Sequence, residues 1–368
     1  MIKLLMTSVG SWVSQNVLDV IDTRPEEFCI VGTTSLATIP LGRCDRVYLV
    51  PLTKRPPSPF CKRLLEIVDV EKPDLVIPNR DHDATVLAAL AAEHPPLLDL
   101  IPCGAPEPAV ALEDKWFSYR FACEHGLRFA ESALTDAASG HKAVYELAEK
   151  VGFPLIVKPR CGFASRGVHI VINKEQLDAA MDEEGVVVQR YVGDVQAVAE
   201  FARDLGRGGL PLFYSLEQDK FSLQTYIRRD GSIAPVCATI HRMRRGHSAE
   251  VTRVFEEHLF AEGRRWAEAL AAEGWRGPTN IQCQREGNGD LVAFELSGRF
   301  TGATAGRYFW GFDELGYFLE DRLGAPRGRV NGLANSMAIK YTRTVGVSTL
   351  AIEQLSRDHV WEKQTARC

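Results

Sequence analysis

The stretch Phe153-Pro-Leu-Ile-Val-Lys158-Pro-Arg160-Cys-Gly162-Phe-Ala-Ser165-Arg166-Gly167-Val168 decides how this chain reads. An apolar run ends in a lysine. A loop of small residues follows, and His169-Ile-Val-Ile172 resumes as a second strand. Lys158, Arg160 and Arg166 bracket the loop. Small side chains let backbone N–H groups approach a polyanion closely, and the cations neutralise it. A nucleoside triphosphate suits that arrangement. The Gly-Lys-Ser/Thr that opens a helix in a Walker A loop is missing, so the expected device is a phosphate lid built from a β-hairpin.

Working outward, strands are expected over Ile2–Met6, Phe28–Val31, Arg46–Val50 and Leu75–Pro78. Helices are expected around Gln15–Ile21, Pro59–Val68 and Ala84–Glu93. This alternation implies a parallel sheet with helices on both faces. Gly10 follows the first strand, but the G-x-G-x-x-G fingerprint is absent, so the glycine reads as a structural turn. Pro95-Pro96 and Pro102 to Pro108 read as a connector, with a domain boundary near residue 110. Glu113-Asp114-Lys115 then opens a helix to about Glu124, its acidic start matching the macrodipole. Further helices are expected around Ala143–Val151 and Lys174–Met181, and a strand over Val186–Tyr191. Arg203 to Leu212, with Gly206, Gly208 and Gly209, reads as a flexible insertion. Strands over Ser222–Ile227 and Ile233–Ile240, a helix over about Glu256–Glu273, and strands over Thr279–Gln284 and Leu291–Leu296 complete the series. Residues 330–368 carry no nameable chemistry.

Composition sets the outer bounds. The chain has 368 residues, and the usual domain of roughly 150 residues implies two or three domains. Hydrophobic residues at 45% and charged residues at 25% are ordinary for a globular enzyme. The net charge of −5 argues against nucleic acid as a partner. No apolar run is long enough for a membrane span, and the N-terminal segment reads as a first strand rather than a signal peptide. Nine cysteines are scattered with no C-x-x-C pair, so reduced, mostly buried thiols in a cytoplasmic protein are expected, without a zinc site.

Two more segments carry chemistry. Val186-Val-Val-Gln189-Arg190-Tyr191-Val192-Gly193 is an apolar strand running into a short linker, which offers a C=O and an N–H side by side to an adenine edge. Alone it is weak, since such a strand is more often plain core. Asn280-Ile-Gln282 is followed by a turn at Gly287–Asp290 and then Leu291-Val-Ala-Phe-Glu295-Leu-Ser297-Gly-Arg299. Strand alternation puts Glu295, Ser297 and Arg299 on one face, with Gln282 opposite on the partner strand. Carboxylate, amide and hydroxyl oxygens suit Mg²⁺, and Arg299 would neutralise a transferred phosphoryl group. The competing reading of Glu295 is a Glu–Arg ion pair bordering a sheet.

Helix with Asp-Lys, hairpin with Lys-Pro, hinge strand, Asn-x-Gln and Glu-x-x-x-Arg occur in that order, and this order resembles the ATP-grasp superfamily, in its carbamoyl phosphate synthase-like and carboxylate–amine ligase branch. The resemblance covers about residues 1 to 320. It implies a Rossmann-like N-terminal domain (1–110) and a two-lobed ATP-grasp fold, with a lid subdomain (111–188) and a C-terminal subdomain carrying the metal site (189–325). Residues 326–368 would be an extension. It also implies ATP with Mg²⁺, or Mn²⁺ as the alternative ion. Lys115 and Lys158 match phosphate-contacting lysines, and Gly162, Ser165 and Gly167 match the mobile loop. Gln189, Arg190, Tyr191 and Val192 match the adenine hinge. Gln282 and Glu295 match metal ligands, with Ser297 where the family has asparagine. Ala164 stands where the family loop has glycine. Arg299, with Lys158, matches the catalytic cations. Arg242, with Arg244 as rival, fits a further phosphate or substrate contact. The substrate pocket is expected near Thr301-Gly302, with Arg307 holding a carboxylate in a bidentate contact. Asn79 to Asp83 lies at a strand's C-terminal end, where open α/β sheets bind ligands, and is expected on the second-substrate side. The implied activity joins a small-molecule carboxylate to an amine through an acyl-phosphate. The alternatives are a carboxylase or synthetase of nucleotide metabolism, or an ATP-binding regulatory protein. A homodimer is the default assembly.

Overall fold

The computed structural model describes the chain except for residues 54–57, 163–164, 182–184, 210–218, 245–246, 288, 327, 329–331, 333–335, 341–344 and 367–368. The N-terminal part alternates as expected: β1 (Ile2–Met6), α1 (Trp12–Ile21), β2 (Phe28–Thr34), β3 (Arg46–Leu49), α2 (Ser58–Glu71), β4 (Leu75–Ile77) and α3 (Asp81–Glu93). The four strands pair in parallel in the order β3-β2-β1-β4. Every residue of β2 is buried, as a parallel strand covered on both faces requires.

Pro106 does not continue a connector. It opens α4 (Pro106–Glu113), where proline's fixed φ and missing N–H suit the first helical turn. The segment before it is pinned against the C-terminal half. A Cβ on Gly104 would lie 1.9 Å from the Gly274 carbonyl, and one on Gly277 would lie 2.2 Å from the Pro102 carbonyl. Only glycine permits that approach. Asp114 then caps α5 (Lys115–Glu124), accepting from the Trp116 and Phe117 amides.

The lid comprises β5 (Ser132–Leu134), α6 (Lys142–Val151), β6 (Leu155–Pro159), β7 (His169–Val171), α7 (Lys174–Ala180) and β8 (Val186–Arg190). Its antiparallel sheet has the order β5-β8-β6-β7. The sheet packs on α6 and α7 through its own small core, which includes Val144, Leu155, Val157, Leu177 and Val188. Next comes α8 (Val195–Gly208), so Arg203–Gly208 is helix and not a flexible insertion. The apolar residues Val198, Phe201, Ala202 and Leu205 recur at helical spacing, and that periodicity outweighs Gly206 and Gly208. The rest of the expected insertion, from 210, lies outside the described residues.

The remaining elements are β9 (Lys220–Ile227), β10 (Cys237–Arg244), β11 (His247–Val254), α9 (Glu257–Ala272), β12 (Gly277–Arg285), β13 (Leu291–Ser297), α10 (Thr304–Phe309), α11 (Glu314–Leu323), β14 (Met337–Ile339), α12 (Thr349–Asp358) and β15 (Val360–Glu362). A six-stranded antiparallel sheet runs β13-β12-β9-β10-β11-β14. The basic run after Ile240 is the end of β10, which makes a hairpin with the unanticipated β11. The C-terminal stretch has a structural role: β14 extends this sheet, and β15 adds an antiparallel edge to β3.

One core cluster joins Leu5 and Val31 of the first sheet and Leu87 of α3 to Leu112, Phe121, Trp266, Ile281 and Leu296. Among the described residues no helix is long and apolar enough to cross a membrane. Four of the free thiols, Cys44, Cys103, Cys237 and Cys283, are buried. Cys29 is buried as well.

Candidate functional site

Lys158 is the centre from which the site is built. It leaves β6 buried, and its Nζ donates to Gln189 Oε1 at 2.7 Å and to the Phe294 carbonyl at 3.0 Å. Gln189 is held from behind, its Nε2 donating to Ser132 Oγ at 3.0 Å. Strands β6, β8 and β13 therefore meet at one ammonium. Burial pushes that ammonium down to about 7; Glu295 pulls it up and Lys115 adds repulsion. The helix start supplies Lys115, whose backbone N–H donates to the Arg160 carbonyl at 2.9 Å. Asp114 pairs with Arg160 at 2.8 Å. The cap of α5 and the root of the loop are thus one unit.

β12 and β13 pair so that Gln282 faces Glu295 and Asn280 faces Ser297, with a register shift between Gln282 and Cys283. Burial alone would raise the Glu295 carboxyl. Lys115, Lys220, Lys158 and Arg299 together hold it below its ordinary value. Lys220, at the start of β9, donates from Nζ to Gln282 Oε1 at 2.5 Å. Arg299 donates to Asp81 Oδ2 at 2.6 Å and to the Phe300 carbonyl at 3.0 Å. Asp81 opens α3, so the arginine beyond the metal strand is clamped from the N-terminal sheet.

Two cavities share this centre. The first, about 810 Å³, is lined by Lys115, Ile156, Lys158, Gly162, Ser165, Gln189, Arg190, Tyr191, Val192, Phe201, Leu205, Phe294 and Glu295, among others. Its apolar slot between β6, the hinge and α8 matches a purine, and its cationic end matches phosphates. The second, about 780 Å³, runs between α1 with the β4–α3 turn and the same face of the six-stranded sheet, toward β10 and β11. Asp81, Gly162, Lys220, Met243, Gln282 and Arg299 line both. A group carried at the end of a ligand in the first cavity would meet a ligand in the second at this junction.

The expected residues divide accordingly. Lys115, Lys158, Gly162, Ser165, Gln189, Arg190, Tyr191, Val192, Gln282, Glu295 and Arg299 come together around the first cavity. Ser165 sits at φ 55 and Gly167 at φ 69, and Gly167 packs against Pro159 rather than lining the cavity. Ala164 lies outside the described residues. Ser297 is buried opposite Asn280 and lines neither cavity, although strand alternation gave it the Glu295 face. Arg242 points outward and pairs with Glu250 at 3.2 Å; its rival Arg244 lines the second cavity. Gly302 lines that cavity too. Arg307 was expected at a substrate or on the surface, and it is in neither place. It is fully buried on α10, bonded through Nε to Glu314 and through Nη2 to Thr301, with Nη1 buried and unpartnered among the described residues. The Asn79–Asp83 turn splits: Asn79 to His82 line the second cavity, while Asp83 turns inward to Thr7 at 2.7 Å and Ser8 at 2.8 Å.

Sequence reasoning missed Lys220, His241 and Lys340, which also line the second cavity. The lone signal for Lys220 was a lysine opening a strand, and nothing marked Lys340. His241 is gripped by Thr239 and Ser248. Burial, then Lys220, Arg307 and Lys340, push its imidazole well below the ordinary value. Lys340 donates to the Gly302 carbonyl, and its ammonium falls to about 8 through burial, Arg307 and Lys220.

The fold is that of the ATP-grasp proteins. An N5-carboxyaminoimidazole ribonucleotide synthetase from Thermotoga maritima matches 90% of this chain and 78% of its own, at TM-score 0.59 and 16% identity. A biotin carboxylase from Campylobacter jejuni, solved with a nucleotide, matches 89% of this chain and 72% of its own, at TM-score 0.64 and 13% identity. An L-amino acid ligase from Bacillus licheniformis matches 88% of this chain and 74% of its own, at TM-score 0.61 and 13% identity. No protein-family model matches the sequence, and neither does any curated protein.

Proposed function

We propose that this chain is an ATP-dependent ligase that joins a small-molecule carboxylate to an amine, releasing ADP and phosphate. The observation that carries the reading is the junction: Gln282, Lys220 and Arg299 stand where two separate cavities meet, beside Glu295. An L-amino acid ligase is among the similar structures, which supports the reading.

ATP would lie with its base against Gln189–Val192 and its phosphates toward Lys115, Lys158 and the 162–167 loop. The donor set fits Mg²⁺ in a limited way. Glu295 and Gln282 offer two oxygens, and no group of three acidic, histidine or cysteine ligands exists among the described residues. That suits one ion that draws most of its ligands from phosphates and water. Such an ion would neutralise phosphate charge. Ser297, which lines neither cavity, is not proposed as a ligand. Arg299 and Lys220 would face the transferred phosphoryl group, and their cationic charge favours the approach of a carboxylate oxygen to it. Gly162 and Ser165 belong to the loop that would shield the resulting acyl-phosphate from water.

The test is ADP release from purified protein given ATP, Mg²⁺ and a pool of amino acids, with mass spectrometry of the product. A product heavier than each acid by the amine residue is expected. Absence of ADP above the rate without acids overturns the reading.

A further inference from the structure

We propose that His82, oriented by Glu113, is the base that removes a proton from an ammonium substrate in the second cavity; the proposal rests on the ligase reading above. An amine that attacks an acyl-phosphate needs a free lone pair, and at neutral pH most aliphatic amines are protonated. The cavity wall built by the N-terminal sheet carries the groups for both tasks. His82, on the first turn of α3, and Glu113, at the end of α4, both line it. His82 Nδ1 lies 2.9 Å from Glu113 Oε1. The Glu113 side chain is 5% exposed and the His82 ring 22% exposed. A carboxylate oxygen accepts, so Nδ1 carries the hydrogen and Nε2 holds the lone pair. Among the described residues Nε2 has no protein partner.

The ring lines the same cavity as the junction residues Lys220, Gln282 and Arg299. Its neighbour Asp81 holds Arg299, which lines both cavities. The turn itself is rigid. Asn79 Nδ2 donates to the Thr7 carbonyl at 2.7 Å, and Asp83 accepts from Thr7, Ser8 and Thr53. Asp81 and Glu113, the two carboxylates of the lining, lie on this wall with Arg80 and Arg299, whereas Lys220, Arg244 and Lys340 line the other side. A substrate carboxylate is drawn to the second side, which leaves the amine end of a partner toward His82.

The step balances without a further reactant. Nε2 takes H⁺ from R–NH₃⁺, and Glu113 stabilises the imidazolium. The freed lone pair forms the C–N bond at the acyl carbon, the C–O bond to phosphorus-bound oxygen breaks, phosphate leaves with that electron pair, and its oxygen takes the second proton that the attacking nitrogen sheds to become the amide. The imidazolium then returns its proton to water. His82 is the catalytic residue here and Glu113 a positioning residue.

Hydroxylamine separates this step from acyl-phosphate formation, because it is unprotonated at neutral pH and needs no base. The native protein, His82→Gln and Glu113→Gln are given ATP, Mg²⁺ and the twenty amino acids, each with and without hydroxylamine. Hydroxamate and amide product are measured. In His82→Gln the amide rate should fall about 100-fold or more while the hydroxamate rate stays within about twofold. Glu113→Gln should show the same split with a smaller loss. Equal losses of both products, or no loss of amide, overturn the proposal and leave the ligase reading intact. No hydroxamate from the native protein overturns both.

Discussion

The two cavities are nearly equal in volume and opposite in legibility. The first cavity is assembled from hairpins and from strands that are neighbours in its sheets. Its cations converge on one carboxylate, Glu295, and its apolar slot is closed by the strand–hinge run Val186–Val192 and by α8. The second cavity draws on α1, the β4–α3 turn, the end of α4, β9, β10 and the C-terminal stretch. Short-range sequence patterns describe the first kind of site, and tertiary packing alone makes the second. A mutation in the first should damage the phosphoryl step, and one in the second should change what is joined.

The sharpest way to break that division is Glu295→Gln. Removing the carboxylate that four cations share should lower turnover by on the order of 10³-fold, read as ADP release, while far-UV circular dichroism stays native. An active variant would sink the metal assignment. Next in size is Arg299→Gln, with a loss of about 10²-fold. Asp81→Asn should lose about tenfold, because it frees Arg299 without removing it. If Asp81→Asn costs more than Arg299→Gln, the clamp is not the reason Asp81 is there.

Lys158→Met should weaken ADP binding by about 10- to 100-fold in calorimetry, as expected for a lost charge-assisted hydrogen bond. A linked proton tests the cause. With Lys158 near 7 in the free protein, the group is mostly neutral at pH 8, and phosphates beside it favour the ammonium. Nucleotide binding at pH 8 should therefore take up a proton, and binding at pH 6 should take up none. Calorimetry in buffers of different ionisation enthalpy measures this, and Lys158→Met should abolish the uptake.

The smallest effect expected lies across the second cavity. Lys340 is held near 8, below its ordinary value, so folding disfavours its charged form. The unfolded chain binds the extra proton between about 8 and 10.5, and native stability gains from this group as pH rises through that window. Lys340→Met should melt a few degrees above the native protein at pH 7, and the advantage should vanish by about pH 10.5. A constant difference across that range would mean the lysine is not desolvated.

By itself the sequence determined the strand–helix alternation of the first sheet, the lid hairpin and the Gln282–Glu295 pair, because strand periodicity and a loop of small residues are local properties. It also marked the Asn79–Asp83 turn, of which Asn79 to His82 line the second cavity and Asp83 does not. It expected Ser297 at the metal, but Ser297 packs buried opposite Asn280 and lines neither cavity. It misjudged Arg307, since an arginine's burial depends on distant Glu314 and Thr301. The helix over Val195–Gly208 was hidden by glycines that only the whole helical face outweighs. The partnership of Asp81 with Arg299, of His82 with Glu113, and the arrival of Lys340 from near the chain's end were decided by tertiary structure alone. Each joins segments that no local pattern relates, and charge placed by packing leaves no mark on the residues around it in sequence.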